Sequence, residues 1–275
     1  DTILSTVSVE PGKLSLGESG GGSNVETLTI QNDGSSAVTF DLSHAPALAT
    51  GPQNNSRNAP PNNVFTAISY FIAPSTVAFS APSVSVPAGG SASFQVTITP
   101  NAGLPERGLH GGYIVLTPQG GGQVYRVPYA GLKGDYQTVE VLVPTANGFP
   151  WLAQQIGASF FNRPAGATYT MQGTDIPFFL VHLDHQSRRV RFEAFDANTG
   201  KAWHRISDDQ YVGRNSSATS FFAFSWDGTT FTGKGKNANQ WYTVPNGQYI
   251  AKLSVLKALG DENNPAHWET WTSPV

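Results

Sequence analysis

Short stretches in which every second residue is apolar recur along most of this chain, and each ends at a cluster of Gly, Pro or Asn. Leu28 and Ile30 alternate with polar residues, and Val38 and Phe40 do so again. Side chains on one face of a strand lie two residues apart, so this pattern is typical of strands half buried in antiparallel sheets. We expect an all-β protein in which Asn-Asp-Gly, residues 32–34, forms the turn of a hairpin.

The strand-like runs form two sets, because the sequence changes character near residue 136. The first set holds seven or eight short runs, a number typical of a sandwich of two sheets. Between them, residues 50–63 are polar and rich in Pro, which predicts an exposed loop. At 275 residues the chain is long enough for two domains of ordinary size. We therefore predict two tandem antiparallel β-sandwich domains, over residues 1–136 and 137–275.

The second set of runs covers residues 174–184, 188–196, 220–228 and 248–258. Within it, Val190, Phe192 and Ala194 fall on one face of a strand and charged residues fall on the other. The sequence Asp-Ala-Asn-Thr-Gly at residues 196–200 then predicts a hairpin turn. Residues 268–272 alternate again, which predicts a last strand at the edge of a sheet.

Composition excludes several classes of function. Charged residues make up 13% of the chain and the formal net charge is -3, so no polycationic surface is expected for nucleic acid. No apolar run approaches the roughly 20 residues of a membrane span, so no membrane insertion is expected. The chain has no Cys, which excludes disulfides and thiolate metal sites. Abundant Ser, Thr and Gly and two glycosylation sequons, at Asn54 and Asn215, favour an extracellular protein.

Five segments in the first half resemble, in the same order, the region that follows the catalytic domain in large subtilisin-like proteases. They are VSVEPGKLSLGES (7–19), LTIQNDGSSAVTFDLSHAPA (28–47), VPAGGSASFQVTITP (86–100), HGGYIVLT (110–117) and YRVPYAGLKGDY (125–136). The resemblance implies a fibronectin type III-like domain over residues 1–136. The second half resembles more loosely the immunoglobulin-like sandwich that follows it, through WDGTTFTG and VPNGQYIAKLSVLKALGD.

The resemblance implies a non-catalytic role. Such domains help to place substrate or to anchor the enzyme, and their partner is the subtilase catalytic domain, in cis or after cleavage. None of the three catalytic motifs of that family occurs in this sequence. We therefore expect no catalytic residue, no cofactor and no metal, in an accessory region of a secreted subtilase.

One tempting motif is Gly-Glu-Ser-Gly-Gly at residues 17–21, which matches the G-x-S-x-G pattern around a nucleophilic serine. That chemistry needs a strand feeding directly into a helix, so that the serine lies exposed beside an oxyanion hole. Here the chain continues through more Gly into another predicted strand. Ser19 is therefore expected to lie in an ordinary turn.

Two further motifs fail for similar reasons. Residues 228–235 come within one residue of a phosphate-binding loop, but Gly235 stands where Ser or Thr binds magnesium. His182, Asp184 and His185 offer metal-ligating groups, yet alternation puts only the first two on one face. We expect a glycine-rich hairpin at the first and a solvent-facing strand end at the second.

All six Trp residues follow residue 136. Aromatic residues this large most often pack in a core, because each buries a large apolar area. The alternative is a surface on which sugar rings stack, with glycans or cell-wall polysaccharide as partners of a lectin-like protein. The candidate stacking residues are Trp241, Tyr242, Trp268 and Trp271, and alternation places Trp268 and Trp271 on opposite faces.

Overall fold

The computed structural model describes residues 5–20, 22–52, 68–232 and 240–275. Its strands are β1 (Val7–Glu10), β2 (Leu14–Glu18), β3 (Asn24–Asn32), β4 (Val38–Pro46), β5 (Ala49–Pro52), β6 (Ile68–Phe71), β7 (Thr76–Phe79), β8 (Ser83–Val86), β9 (Gly90–Thr99), β10 (Leu109–Pro118), β11 (Tyr125–Leu132), β12 (Trp151–Ile156), β13 (Ser159–Asn162), β14 (Pro177–Val181), β15 (Ser187–Asp196), β16 (Ala202–Val212), β17 (Phe222–Ser225), β18 (Thr229–Thr232), β19 (Gln240–Thr243), β20 (Tyr249–Lys257) and β21 (Trp268–Thr272). Two short 3-10 helices, Tyr136–Thr138 and Pro265–His267, accompany them. The predicted all-β class is confirmed. Within the described ranges, no helix has the length and apolar character needed to cross a membrane.

The chain divides between Tyr136 and Gln137 into two compact units. In the first unit, one sheet has the order β1-β3-β9-β7 and the other has the order β2-β11-β10-β4-β8, with β5 and β6 attached to β10. The strand pairs of this unit are antiparallel except for β2 and β11, which run parallel. Residues from both sheets, including Leu28, Phe40 and Ile114, form one buried core. The predicted sandwich is therefore present.

The predicted hairpin around residues 32–34 is wrong. β3 pairs with β1 and β9, whereas β4 pairs with β10 and β8, so the turn carries the chain from one sheet to the other. Asn32 is buried there, and its Nδ2 donates to the carbonyls of Ser36 (2.8 Å) and Pro87 (3.1 Å). Its Oδ1 accepts from the backbone N–H of Gly34. These hydrogen bonds stabilise a turn that connects the two sheets. The residues Asn-Asp-Gly do not by themselves distinguish such a connection from a hairpin.

The second unit also has two sheets, with the orders β13-β12-β14-β17 and β19-β18-β16-β15-β20-β21. Val190, Phe192 and Ala194 are fully buried, as the alternation predicted. The rings of Phe179 and Phe192 stack with centroids 4.9 Å apart, one from each sheet. This contact shows that the apolar faces of the two sheets meet in a common core.

Two local predictions for the second unit are confirmed. β15 and β16 pair as a hairpin across residues 196–200, where Asp196 Oδ1 accepts from the backbone N–H groups of Asn198 and Thr199. Gly200 has a φ of 71°, a conformation that favours glycine. The last strand, β21, pairs only with β20 and lies at the edge of its sheet.

The first unit buries a small polar cluster beside its apolar core. Ser75 Oγ lies 2.9 Å from His110 Nδ1, and His44 Nε2 lies 2.9 Å from the hydroxyl of Tyr129. The rings of His110 and Tyr129 have centroids 6.4 Å apart. A side chain at Gly131 would come within 2.8 Å of His110 Nε2, so glycine is needed to admit the ring. Burial lowers the pKa of both His44 and His110, which favours their neutral forms in the folded chain.

Acidification should therefore destabilise the first unit. In the unfolded chain a histidine takes up a proton near pH 6.5, so stability falls as the pH drops below that value and is unaffected above it. The limiting slope is about 1.4 kcal/mol per pH unit for each histidine. Unfolding should be measured by calorimetry between pH 7.5 and 5.5. Tryptophan fluorescence would not detect unfolding of the first unit, because every Trp follows residue 136.

The matched variant is His44→Gln, which removes one of the two titrating side chains. We expect its calorimetric midpoint to vary less steeply with pH than that of the parent protein. An equal pH dependence in the two proteins would show that His44 does not contribute.

Candidate functional site

The outward surface of the six-stranded sheet in the second unit combines charged and aromatic side chains. We call this surface, defined by Arg189, Arg191, Glu193, Arg205 and Asp208, the outer face. These residues alternate along β15 and β16 with side chains that enter the core. Cross-strand register then places opposite charges beside each other, with Asp208 opposite Arg191 and Arg205 opposite Glu193.

Asp208 lies at the centre of the charges on the outer face. Its Oδ1 accepts from Nε of Arg189 and its Oδ2 accepts from Nη2, both at 2.6 Å. Oδ2 also accepts from Nη1 of Arg205. Burial acts to raise the pKa of Asp208, but the Arg189 hydrogen bonds and the neighbouring guanidinium charges outweigh it and hold the pKa below its usual value. The hydrogen bond to Asp208 likewise raises the pKa of Arg189, against a smaller opposing effect of burial.

Two further carboxylates complete the balance of charge. Glu262 lies 2.9 Å from Arg189 Nη1, and Glu193 lies 3.2 Å from Arg191 Nε. The three guanidinium groups are thus matched by three carboxylates. The outer face therefore presents planar groups that can form hydrogen bonds, and its charges nearly cancel, so it carries no strong net positive charge.

An aromatic residue stands at each end of the outer face. On β19, Trp241 is 61% exposed, and its ring centroid lies 5.0 Å from that of Phe231 on β18. On β21, the Trp268 ring receives the Arg191 guanidinium at 5.1 Å, and its Nε1 donates to the carbonyl of Glu262. These two strands form opposite edges of a six-stranded sheet. At roughly 4.8 Å per strand, they lie about 24 Å apart.

The other two predicted stacking residues do not join this surface. Tyr242 pairs with the buried Thr230, so it faces away from Trp241, and its ring lies 5.5 Å from that of His204. Trp271 packs on the core, with its ring 6.4 Å from that of Phe179. Trp268 and Trp271 thus lie on opposite faces of β21. The four residues do not assemble into one stacking platform, because strand alternation and sheet width separate them.

The two sequons have different outcomes. Asn54 lies outside the described residues, as does most of the predicted loop at 50–63. Asn215 is only 4% exposed, and its Oδ1 accepts from the backbone N–H of Leu183 at 2.7 Å. Its own backbone N–H donates to the carbonyl of Leu183 at 2.8 Å. This burial argues against a glycan at Asn215 and gives the side chain a structural role.

Ser19 lies in a turn after β2, and its backbone N–H donates to the carbonyl of Leu132. Among the described residues, its Oγ has no hydrogen-bond partner, so no base is positioned to activate it. The turn also lacks the helix that a nucleophilic serine needs to follow it, since the next element is β3.

The expected solvent-facing strand end at His182 and Asp184 is wrong, because both side chains are buried. His182 Nδ1 lies 2.7 Å from the carbonyl of Ser220, and its Nε2 lies 3.5 Å from Asp184 Oδ1. The segment 215–220 therefore covers this end of β14, a contact that local alternation cannot predict. In the part of the chain that the structure describes, no three His, Asp or Glu side chains are grouped to hold a metal ion.

The glycine-rich motif at residues 228–235 lies only partly within the described ranges. Its described part is β18, which pairs with β19, in agreement with the predicted hairpin. Residues 233–239, which include Lys234, lie outside the described ranges.

The second unit contains a cleft that was not predicted from the sequence. It has a volume of about 990 Å³ and opens between the two sheets, where segments 165–171, 226–228, 243–249 and 273–275 come together. Tyr169 and Tyr249 contribute aromatic walls, and the buried Phe179 and Trp226 form the floor. Two sequence motifs, WDG and the later PNGQY, contain Trp226 and Tyr249, and the ring centroids of these two residues lie 5.5 Å apart. These motifs are the sequence signal that could have indicated the cleft.

The polar atoms of these aromatic side chains already have partners inside the unit. Trp226 Nε1 donates to the carbonyl of Thr229 at 2.8 Å, and the Tyr169 hydroxyl donates to that of Ala153 at 3.1 Å. The Tyr249 hydroxyl donates to the carbonyl of Pro245 at 2.6 Å. Burial raises the pKa of Tyr169 to about 12, which keeps that hydroxyl protonated as a donor. The rings are therefore held in place, and they offer the cleft their apolar surfaces.

Comparisons with known proteins give distant structural likenesses and one match to a family model. No curated protein matches the chain. Among solved structures, the chain resembles PapD-like domain 7 of human CEP192, with 15% identity, a TM-score of 0.35 and coverage of 47% of this chain and 85% of that one. It also resembles the CupB2 chaperone of Pseudomonas aeruginosa, with 9% identity, a TM-score of 0.29 and coverage of 98% and 100%. A third similar structure is WR4, an MSP family member of C. elegans, with 13% identity, a TM-score of 0.27 and coverage of 47% and 98%.

One family model matches the sequence itself. It is the model of the Fn3-like domain, and it aligns with residues 14–130. The aligned range begins at the first residue of β2 and ends within β11, so it spans nearly all of the first sandwich. Residues 14–130 are therefore similar to a fibronectin type III-like domain, a kind of domain that is typically non-catalytic.

Proposed function

We propose that this chain is the non-catalytic accessory region of a secreted subtilisin-like protease, which it positions or anchors or whose substrate it helps to bind. The observation that carries the proposal is the Fn3-like domain at residues 14–130. Five sequence segments within and beside that domain resemble, in order, the region after the catalytic domain of such proteases. The partner is the subtilase catalytic domain, in cis or after cleavage, and the location is extracellular.

The geometry of the first unit supports a scaffold role. Its core is formed jointly by both sheets, and its one serine in a nucleophile-like motif, Ser19, has no hydrogen-bonded base among the described residues. A role in catalysis would require a base and an oxyanion hole at that serine. Binding and positioning need only a rigid surface, which a packed sandwich provides.

The parent protein can be tested by sequencing the transcript that encodes this chain. We expect the reading frame before Asp1 to encode a subtilase domain with its Asp, His and Ser motifs. A start codon and a secretion signal immediately before Asp1 would overturn the subtilase assignment.

The absence of catalysis has its own test. We expect the chain to remain unlabelled by a fluorophosphonate, which modifies activated serines, and to give the same result as Ser19→Ala. Labelling of the parent chain that is lost in Ser19→Ala would contradict the non-catalytic role. An active subtilase in the same assay shows that the reagent works.

A second candidate function, carbohydrate binding by the second unit, is favoured by the exposed ring of Trp241 supported on Phe231. Sugar rings present apolar C–H faces that stack on such a ring. A glycan array measures which glycans the parent chain binds. If the sugar stacks on Trp241, the Trp241→Ala variant should no longer bind those glycans. Trp268→Ala, at the opposite edge of the sheet, is the matched control and should bind normally. Equal binding by Trp241→Ala and the parent would exclude Trp241 as the contact.

A further inference from the structure

The cleft of the second unit has the size and lining of a ligand site. Its volume of about 990 Å³ lies at the upper end of the roughly 300–1,000 Å³ that small-molecule sites span. Its floor is apolar, with Phe179 and Trp226 buried, and its rim is polar and exposed. A site of this kind binds a molecule that has both apolar faces and hydrogen-bonding groups.

The charges around the cleft restrict what it can bind. Of the described residues that line it, none is Lys, Arg or His, so phosphate, sulfate and carboxylate ligands would find no positive partner. Asp227 is the single acidic side chain in this lining, and hydrogen bonds from Thr229 lower its pKa, which keeps it charged. Its Oδ1 accepts from the backbone N–H and hydroxyl of Thr229, so Oδ2 remains to accept from a ligand hydroxyl.

The rim supplies neutral hydrogen-bonding groups. Thr168, Thr243, Asn246 and Gln248 are exposed around the opening. Amide side chains donate and accept at once, and hydroxyl side chains do the same. This matches a ligand whose hydroxyl groups point outward in several directions.

A peptide fits the cleft less well. A Pro-rich peptide needs donors such as Trp N–H and Tyr O–H for its carbonyls, and here those of Trp226, Tyr169 and Tyr249 are already bonded within the unit. A peptide strand needs free backbone groups at a sheet edge. Around the cleft, the N–H groups of Val244 and Ser273 donate to backbone carbonyls of the unit at 2.9 Å.

We propose that this cleft binds a neutral carbohydrate, with the apolar face of a sugar ring against Tyr169 or Tyr249 and its hydroxyl groups bonded to Asp227, Asn246 and Gln248. Among ligands with apolar faces and many hydroxyl groups, neutral sugars are the class that needs no cationic partner. Trp241 does not line the cleft. Sugar binding in the cleft is therefore independent of the accessory role and of glycan binding at Trp241, both proposed above.

The test uses the whole chain and soluble oligosaccharides of glucose, mannose and N-acetylglucosamine, with binding measured by titration calorimetry. We expect saturable binding of at least one of them. Asn246→Ala combined with Gln248→Ala should weaken it by roughly tenfold or more, since each removes a hydrogen bond. Both side chains are exposed, so this variant should fold as the parent does.

Two more variants locate the site. Tyr249→Phe keeps the ring and should bind nearly as well as the parent, whereas Tyr249→Ala should lose binding while its circular dichroism stays unchanged. Trp241→Ala should leave cleft binding intact. The proposal is overturned if no neutral oligosaccharide binds, if only peptides or anionic glycans bind, or if Asn246→Ala with Gln248→Ala binds as tightly as the parent.

Discussion

Replacing Asp208 with Asn should destabilise the second unit by about 3–5 kcal/mol, the cost of breaking a buried ion pair by removing one partner. The Asp208 side chain is 8% exposed, and those of Arg189 and Arg205 are 12% and 14% exposed. Asn has the same shape as Asp, but its amide group has one oxygen and one NH2 group, so it can replace only one of the two accepting oxygens of Asp208. Arg205 would then lose its ion pair with Asp208 in a poorly solvated region, and Arg189 would keep only its ion pair with the more exposed Glu262.

Urea unfolding followed by tryptophan fluorescence measures this loss, since every Trp lies in the second unit. The matched control is Asp209→Asn, next in the chain, which is exposed and should change stability by no more than about 0.5 kcal/mol. A midpoint shift equally small for Asp208→Asn would show that the three charges contribute no net stability.

The same substitution has a predictable pH dependence. Because the pKa of Asp208 is lowered in the folded chain, its stabilising effect is complete above the unfolded pKa of about 3.9 and is lost as the pH falls through the folded value. The difference in stability between parent and Asp208→Asn should therefore be constant near neutral pH and should shrink below about pH 4. A difference that grows on acidification would contradict this account.

Replacing Glu269 with Ala should destabilise the second unit by roughly 2–3 kcal/mol, the range for lost hydrogen bonds to a charged group. Its carboxylate accepts from the backbone N–H of Val141, at 2.9 and 3.0 Å, and from that of Leu142 at 2.6 Å. Lys257 Nζ lies 3.5 Å from the same carboxylate. The Glu269 side chain thus links residues 141 and 142, near the start of the second unit, to the edge strand β21.

Hydrogen exchange tests this contact at the residues concerned. The amides of Val141 and Leu142 should exchange faster in Glu269→Ala, with little change in the central strand β15. Glu140→Ala is the matched control, because Glu140 is exposed beside the same segment. Unaltered protection of Val141 and Leu142 in the Glu269 variant would be inconsistent with the fastening role.

Alternation in the sequence predicted which side chains are buried, but it did not predict that β3 and β4 lie in different sheets. Val190, Phe192 and Ala194 are buried as expected, because their period depends only on the pleat of one strand. The pairing of β3 and β4 depends on distant segments, and Asn32 bonds to Pro87, 55 residues away, to hold the crossover. Local sequence carries no information about such a partner.

The candidate sites show the same limit. Trp241 and Trp268 were candidates for one stacking surface, but they lie on opposite edge strands of a six-stranded sheet, with four strands between them, a distance that spacing in the sequence does not encode. His182 contacts the carbonyl of Ser220, 38 positions later in the chain. The cleft is formed by four separate segments and by residues of both sheets, so it exists only once both sheets are assembled.

The parallel pairing of β2 with β11 has a mechanical consequence. Leu14 pairs with Tyr129 and Glu18 with Leu132, and the backbone N–H of Ser19 extends the pairing to the carbonyl of Leu132. A pull on the chain before β2 and after β11 would draw the two parallel strands in opposite directions along their length. The hydrogen bonds between them would be loaded together in shear instead of breaking one after another.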